Sequence, residues 1–289
     1  MPKVAVVTDS VACIPESLIQ SLNIRWVAYY IHRGQEVLRD LLTIQSEEFL
    51  KWLGTTKTLP TTASPGPSDY VKQYQELAEN EGVSDIVSIH ITSKGSGAYQ
   101  AAKIAQSIAL EQIPDLHIEV IDTQNVALCQ GWMAIEAARA ASAGKSLEEV
   151  VNIVKNMIPI TRMIQTADTL KYLYMGGRIG RAQHLVGTLL NIKPLIGLMN
   201  GEIVALGTAR SRSRAYQAMV DMIESTVGPK GKIKIAYVHA AALGEVQKIK
   251  SMVEERIPVV ESLIAELSPA LSVHCGPGTA GVCYFPVEN

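Results

Sequence analysis

The sequence predicts an α/β protein of two α/β domains, the first with a doubly wound, mostly parallel sheet and the second with a mixed sheet. Three observations predict it. Short β-branched runs alternate with helical patterns through the first half, as buried parallel strands joined by helical crossovers do. Three of those runs end in small hydroxyl-bearing residues: residues 4–7 run into Thr8-Asp9-Ser10, residues 86–91 into Thr92-Ser93, and residues 118–121 into Asp122-Thr123. Beyond about residue 158 the pattern changes. Residues 195–199, the pair Asn200-Gly201 and residues 202–207 give a hairpin signal, because Asn-Gly supplies the positive φ angles of a type I′ turn. The domains are accordingly drawn as 1–158 and 159–289.

Residues 3–8 read as a strand entered directly from Met1-Pro2-Lys3, leaving no room for a signal peptide. A helix follows near 15–22, with Pro15-Glu16-Ser17 as its first turn, and then a strand over 24–31. Gln45-Ser46-Glu47-Glu48 opens a helix over 45–54, with Ser46 the expected cap. Residues 55–68, rich in Thr, Pro, Ser and Gly, cannot sustain regular structure for long. Helix 67–82, strand 85–91, helix 96–112 and strand 118–122 complete the doubly wound pattern. Helices follow over 125–142 and 146–157, the second opened by the capping box Ser146-Leu147-Glu148-Glu149. In the second half, a helix over 166–175 ends at Gly176-Gly177 and a basic helix begins near Arg178. Helix 212–226, strand 232–238, helix 243–255 and strands 259–266 and 281–285 finish the chain.

Composition narrows the function classes. The 289 residues are 47% hydrophobic and 19% charged, ample for packed cores and too apolar for disorder. A formal net charge of -2 offers no bulk attraction to nucleic acid or to an anionic membrane. No run approaches the roughly 20 apolar residues of a membrane span. Cys13, Cys129, Cys275 and Cys283 form no Cys-x-x-Cys pair, so reduced thiols and a cytoplasmic location are expected. Phe49 and Phe285 are the only phenylalanines, which leaves the interior to aliphatic and methionine side chains, the material of adaptable apolar pockets.

Hydroxyls beyond the carboxyl ends of parallel strands, beside free backbone N–H groups, make a neutral donor cup suited to a carboxylate or phosphate. Pro60-Thr61-Thr62-Ala63-Ser64-Pro65 is a loop stiffened at both ends by proline, which presents its hydroxyls at little entropic cost. Thr92-Ser93-Lys94-Gly95-Ser96-Gly97-Ala98-Tyr99 lies between strand and helix. Around Ser96 a nucleophile elbow would need glycine where Lys94 and Ala98 stand, so Ser96 reads as a hydrogen-bonding group. Gly176-Gly177-Arg178-Ile179-Gly180-Arg181 sets two guanidiniums by a glycine pair, and Arg210, Arg212 and Arg214 would share one face of a strand. Ser272-Val273-His274-Cys275-Gly276-Pro277-Gly278-Thr279-Ala280-Gly281 reads as a second glycine-rich loop, whose histidine can donate to an anion. No metal-ligand spacing accompanies His274, no phosphate loop of the Gly-x-x-x-x-Gly-Lys type occurs, and no Gly-x-Gly-x-x-Gly opens the first strand–helix turn. From the residues alone three readings stand. They are a carrier of an acyl carboxylate, an enzyme acting on a small phosphorylated or carboxylated metabolite, and a module binding some other apolar ligand.

In this order and spacing the motifs resemble the DegV family of bacterial fatty-acid-binding proteins, which includes the fatty-acid-binding subunits of fatty acid kinase. The resemblance is chain-long. It rests on Thr8-Asp9-Ser10, Pro60-Thr61-Thr62 with Pro65, Ser96-Gly97 with Tyr99, Leu170-Lys171-Tyr172-Leu173 leading to Gly176-Gly177-Arg178-Ile179, Asn191-Ile192-Lys193-Pro194, and His274 with Gly276, Gly278 and Gly281. It implies one long-chain fatty acid, such as hexadecanoate or octadecanoate, in an apolar tunnel between the domains. Its carboxyl group would be held by Thr62, Ser96 with Gly97, and His274. Asp9, Ser10, Thr61, Ser93, Gly276 and Gly278 would support the site. Arg178 and Arg210 match positions tied to phosphoryl transfer or docking to a separate kinase, which would make the acyl phosphate for phospholipid synthesis. The chain itself would be no enzyme, need no cofactor, bind no nucleic acid, and touch a membrane only transiently. Ala63-Ser64, Gly95 and Tyr174-Met175 depart from the residues common in relatives.

Overall fold

The computed structural model describes residues 4–56, 58–188 and 192–287. Asn191 of the family-like segment and the Met1-Pro2-Lys3 entry lie outside these residues. The first half runs β1 (Val4–Asp9), α1 (Glu16–Ser21), β2 (Arg25–Val27), β3 (Tyr30–Arg33), β4 (Glu36–Arg39), α2 (Ser46–Leu53), β5 (Thr61–Ala63) and α3 (Pro67–Gln75). It continues with β6 (Asp85–His90), α4 (Ala98–Gln112), β7 (His117–Asp122), α5 (Leu128–Ser142) and α6 (Leu147–Met157). Then come β8 (Arg162–Thr166), α7 (Lys171–Met175), β9 (Lys193–Met199), β10 (Glu202–Ala209) and α8 (Arg212–Val227). The chain closes with β11 (Lys232–His239), α9 (Leu243–Arg256), β12 (Val259–Glu266), α10 (Pro269–Cys275) and β13 (Ala280–Val287).

The α/β class holds, with one parallel and one mixed sheet. A four-stranded sheet, ordered β2-β1-β6-β7, is parallel throughout, so its strand order reverses between β1 and β6. A six-stranded sheet, ordered β10-β9-β8-β13-β11-β12, is antiparallel except for the β11–β12 pair. A small antiparallel sheet, β4-β3-β5, completes the fold. Helix α5 lies between the two large sheets, packed on β1 and β6 and also on β13. It is buried nearly all round, apart from Glu136, Arg139 and Ser142, as a helix so largely apolar must be. Its Trp132 donates from Nε1 to the Cys283 carbonyl at 3.3 Å and meets the Phe285 ring edge-on. One apolar core therefore runs continuously from the parallel sheet to the mixed one. A second core lies under α8 and α9.

Six local expectations are corrected. The strand expected over 24–31 is two strands in different sheets. Ser10 Oγ accepts the Tyr29 N–H at 3.1 Å, so the chain leaves the parallel ladder there and turns Tyr29 inward. Ser46 does not cap α2; its hydroxyl donates to the Leu267 carbonyl at 3.1 Å, and Gln45 holds the cap position. The helix expected over 166–175 is only α7, because residues 162–166 form β8, a strand flanked by β9 and β13. The basic helix expected from Arg178 is a 3-10 run over Gly180–Thr188. The presumed loop over 272–281 holds the end of α10, a helix opened by Pro269 and capped by Ser268, whose hydroxyl accepts from the Leu271 N–H. Arg212 and Arg214 stand in the first turn of α8, so the arginines share no strand face. The hairpin stands as expected, with Asn200 and Gly201 at φ 51° and 81°.

Candidate functional site

The carboxyl ends of β1 and β6 mark the reversal of strand order, where open α/β sheets bind ligands. A cavity of about 580 Å³ opens beside them, within the usual range for a small-molecule site. Its walls come from β5, the loop after β6, the segment around Arg178, the tip of the β9–β10 hairpin and α10. Val11, Ile91, Val126, Met163, Leu173, Leu198 and Leu271 give it an aliphatic lining. Tyr29, Thr62, Ser64, Thr92, Ser96, Gln165 and His274 add polar groups, and Lys94, Arg178, Arg181 and Glu202 add charged ones.

Each polar group is placed by local structure. Thr62 sits opposite Ile31 in the β3–β5 ladder, a register that carries the Pro-flanked loop into the cavity. Ser96 follows β6 and accepts the Ala98 N–H at 3.3 Å as α4 begins. The next residue is glycine, and a Cβ there would stand 3.2 Å from Ser64 Oγ, a tight contact. The two hydroxyl loops therefore touch. Tyr29 OH lies 2.6 Å from Ser96 Oγ. Thr62 Oγ1 lies 2.8 Å from His274 Nε2. Close behind the imidazole stands Gly176, where a Cβ would fall 2.3 Å from His274 Nδ1. That contact, rather than backbone conformation, is what demands glycine there. Arg178 is tied back by Nε to the Gly95 carbonyl at 3.3 Å and by Nη1 to the Gly176 carbonyl at 2.7 Å.

Burial, and then the Arg178 guanidinium, lower the His274 pKa to about 4, so the ring is neutral near pH 7. Its Nδ1 is buried without a partner among the described residues. An orphaned lone pair is tolerated better than an orphaned N–H, so the proton belongs on Nε2, donated to Thr62 Oγ1. The Thr62 hydroxyl is then free to donate into the cavity. A neutral imidazole and two hydroxyls thus gather at one wall of the cavity, with the Arg178 guanidinium flanking them.

The structure brings Thr62, Ser96, Gly97, His274 and Arg178 to this cavity. Asp9 and Ser10 are buried beside it without lining it. Asp9 accepts from Tyr70 OH, His90 Nδ1, the Ile91 N–H and Gln130 Nε2, binding β1, β6, α3 and α5 together. Ser10 Oγ donates to Asp40 at 2.6 Å, and Asp40 also accepts the Ala270 N–H at 2.9 Å. Thr61 is exposed on β5, and Ser93 is exposed with its N–H on Asp122. Gly276 ends α10 against the Tyr172 ring, and Gly278 gives its carbonyl to Arg212. Arg210 is exposed just after β10; neither it nor these four residues line the cavity. Tyr29 and Asp40 escaped sequence reasoning, since neither lies in a motif and their partners are distant in sequence. The one available signal was the tyrosine pair Tyr29-Tyr30 following Val27-Ala28 in the expected strand. Among the described residues no cluster of three or more His, Cys, Asp or Glu could hold a metal ion, and no helix is long and apolar enough to cross a membrane.

Known proteins match along the same length. The family profile described as "Uncharacterised protein, DegV family" covers residues 3–287. A DegV domain-containing protein of Caldanaerobacter subterraneus is 31% identical over 284 residues, spanning 98% of this chain and 99% of its own. A second, from Clostridium perfringens, is 31% identical over 281 residues, spanning 97% and 98%. Among solved structures, a DegV family protein from Thermus thermophilus described by its fatty acid binding superposes with a TM-score of 0.91 at 30% identity, covering 98% of this chain and 99% of that one. DegV from Bacillus subtilis, described as a fatty acid binding protein, gives 0.86 at 26% identity over 98% and 99%. The chain belongs to the DegV family.

Proposed function

We propose that this protein binds one long-chain fatty acid, with its carboxyl group on Thr62 and Ser96 and its acyl chain along the aliphatic lining. The observation that carries this reading is the pairing of two hydroxyls with a neutral, half-buried His274 beside the aliphatic stretch of the cavity wall. The fatty acid binding described for the Thermus thermophilus and Bacillus subtilis relatives supports it. Burying about 14 methylenes at about 0.8 kcal/mol each gives roughly 11 kcal/mol before the costs of association. Binding of that strength survives purification.

The carboxyl end is presented to a separate kinase, which supplies the phosphoryl group; the chain is a carrier and needs no cofactor of its own. The exposed Arg178 guanidinium, held at the cavity wall by backbone carbonyls, supports that part of the reading. Titration of delipidated protein with hexadecanoate is the test. Stoichiometric uptake is expected, and Thr62→Ala with Ser96→Ala should weaken it markedly, each removing a partner worth about 1–3 kcal/mol. Unchanged uptake in the double variant would remove these hydroxyls from the carboxyl site. A small-metabolite enzyme would instead ignore hexadecanoate.

A further inference from the structure

Tyr29 is the least anticipated group in the cavity. Its backbone is gripped on both sides, the N–H by Ser10 Oγ at 3.1 Å and the carbonyl by the Asp40 N–H at 2.9 Å. Its ring is buried, and its hydroxyl, which lines the cavity, reaches Ser96 Oγ at 2.6 Å, the one hydrogen bond it makes among the described residues. Either oxygen of that pair could donate on distance alone. A phenol is the stronger acid and the poorer acceptor of the two, which favours the Tyr29 O–H as the donor to Ser96 Oγ. Tyr29 therefore donates. Burial and the nearby Asp9 raise its pKa above the ordinary tyrosine value, so the proton stays on the phenol.

The consequence falls on Ser96. Its oxygen already accepts the Ala98 N–H, and with Tyr29 as a second donor both lone pairs are occupied. What remains is one proton, which Ser96 can only give. We propose that Tyr29 is a positioning residue that makes Ser96 an obligate donor, and so sets the cavity's preference for an ionised acyl carboxylate over the matching alcohol. An alcohol would need an acceptor for its own proton, and Ser96 has none to offer. This inference rests on the proposed fatty acid binding and names the ligand end that the site selects.

The test compares hexadecanoate with hexadecan-1-ol on delipidated wild type and Tyr29→Phe, a change that keeps the ring and removes only the donor. Wild type should favour the acid. Tyr29→Phe should bring the two affinities about five- to tenfold closer, chiefly by weakening the acid, since a hydrogen bond's loss is felt at that scale. Tyr29→Phe added to Ser96→Ala should change nothing further, because Tyr29 acts through Ser96. An unchanged acid-to-alcohol ratio in Tyr29→Phe, with wild type binding both, overturns the inference and leaves fatty acid binding standing. Wild type that takes up neither ligand overturns the proposed function, and the inference with it. Should Tyr29→Phe not fold, carbon NMR of carboxyl-labelled hexadecanoate on wild type at about pH 6 decides. An ionised carboxylate is expected despite burial, which ordinarily raises a carboxyl pKa. A protonated carboxyl would overturn the obligate-donor role.

Discussion

His274, half-buried, and Asp40, buried, are both titratable and are shifted in directions that oppose each other in their effect on stability. For His274 the folded pKa, about 4, lies below its ordinary 6.5. The unfolded chain takes up the proton first, so His274 favours folding least at low pH, and stability is lost as pH falls from 6.5 towards 4. For Asp40, burial raises the pKa to about 6 from 3.8, even with Ser10 and Ala270 donating to it. Here the folded state holds the proton more tightly, so stability is lost as pH rises from 3.8 towards 6. In wild type the two slopes partly cancel. Melting scans across this window should show His274→Gln losing stability more steeply as pH rises, and Asp40→Asn losing it more steeply as pH falls. Variants whose profiles run parallel to wild type would contradict both assignments. At the same scale, Arg178→Ala should spare hexadecanoate binding and impair phosphorylation by a partner kinase; lost binding would make Arg178 part of the carboxyl site. Thr62, Ser96 and His274 were legible in the sequence because each lies in a short segment of recognisable chemistry. Tyr29 was not, since its partner Ser96 is 67 residues away and only the fold brings them together.

At the scale of elements, the hairpin and α10 show two degrees of legibility. The β9–β10 turn follows from two residues, Asn200-Gly201, whose left-handed conformations are a local property. What the turn does is not local. Gly201 accepts from Thr92 Oγ1 at 2.9 Å through its carbonyl, and Lys94 reaches Glu202 at 3.4 Å, so the hairpin tip closes one wall of the cavity against the loop after β6. A Cβ on Gly201 would stand 2.4 Å from Thr92 Oγ1 at a φ of +81°. Gly201→Ala should therefore lower stability by about 1–3 kcal/mol and loosen ligand retention together. Gly244→Ala on α9, where a Cβ meets nothing within 4 Å, should be neutral or slightly stabilising in the same thermal melts. Helix α10 was hidden by its own composition: Gly276, Pro277 and Gly278 follow it so closely that the whole stretch reads as loop. Its start is fixed from far away, by Asp40 accepting the Ala270 N–H 230 residues distant. β8 escaped for a related reason. Its Gln165 and Thr166 interrupt the apolar run, yet both are buried because the strand lies inside the mixed sheet.

For the whole molecule, alternating strand and helix patterns foretold the parallel sheet, and the hairpin foretold the antiparallel part of the second. The placement of α5 between the two large sheets was less visible, although an alanine-rich helix with so few polar residues has few other resting places. That arrangement joins the sheets through one core and leaves the cavity between elements drawn from both halves of the chain. A long apolar ligand seated there would bridge them, so its removal should lower the melting temperature of the whole fold, since ligand that binds only the folded state stabilises it by mass action. The most direct test of the account is denaturing mass spectrometry of the solvent extract from freshly purified protein. The account predicts a near-stoichiometric long-chain fatty acid. A lipid-free extract from protein that also fails to take up added hexadecanoate would contradict it.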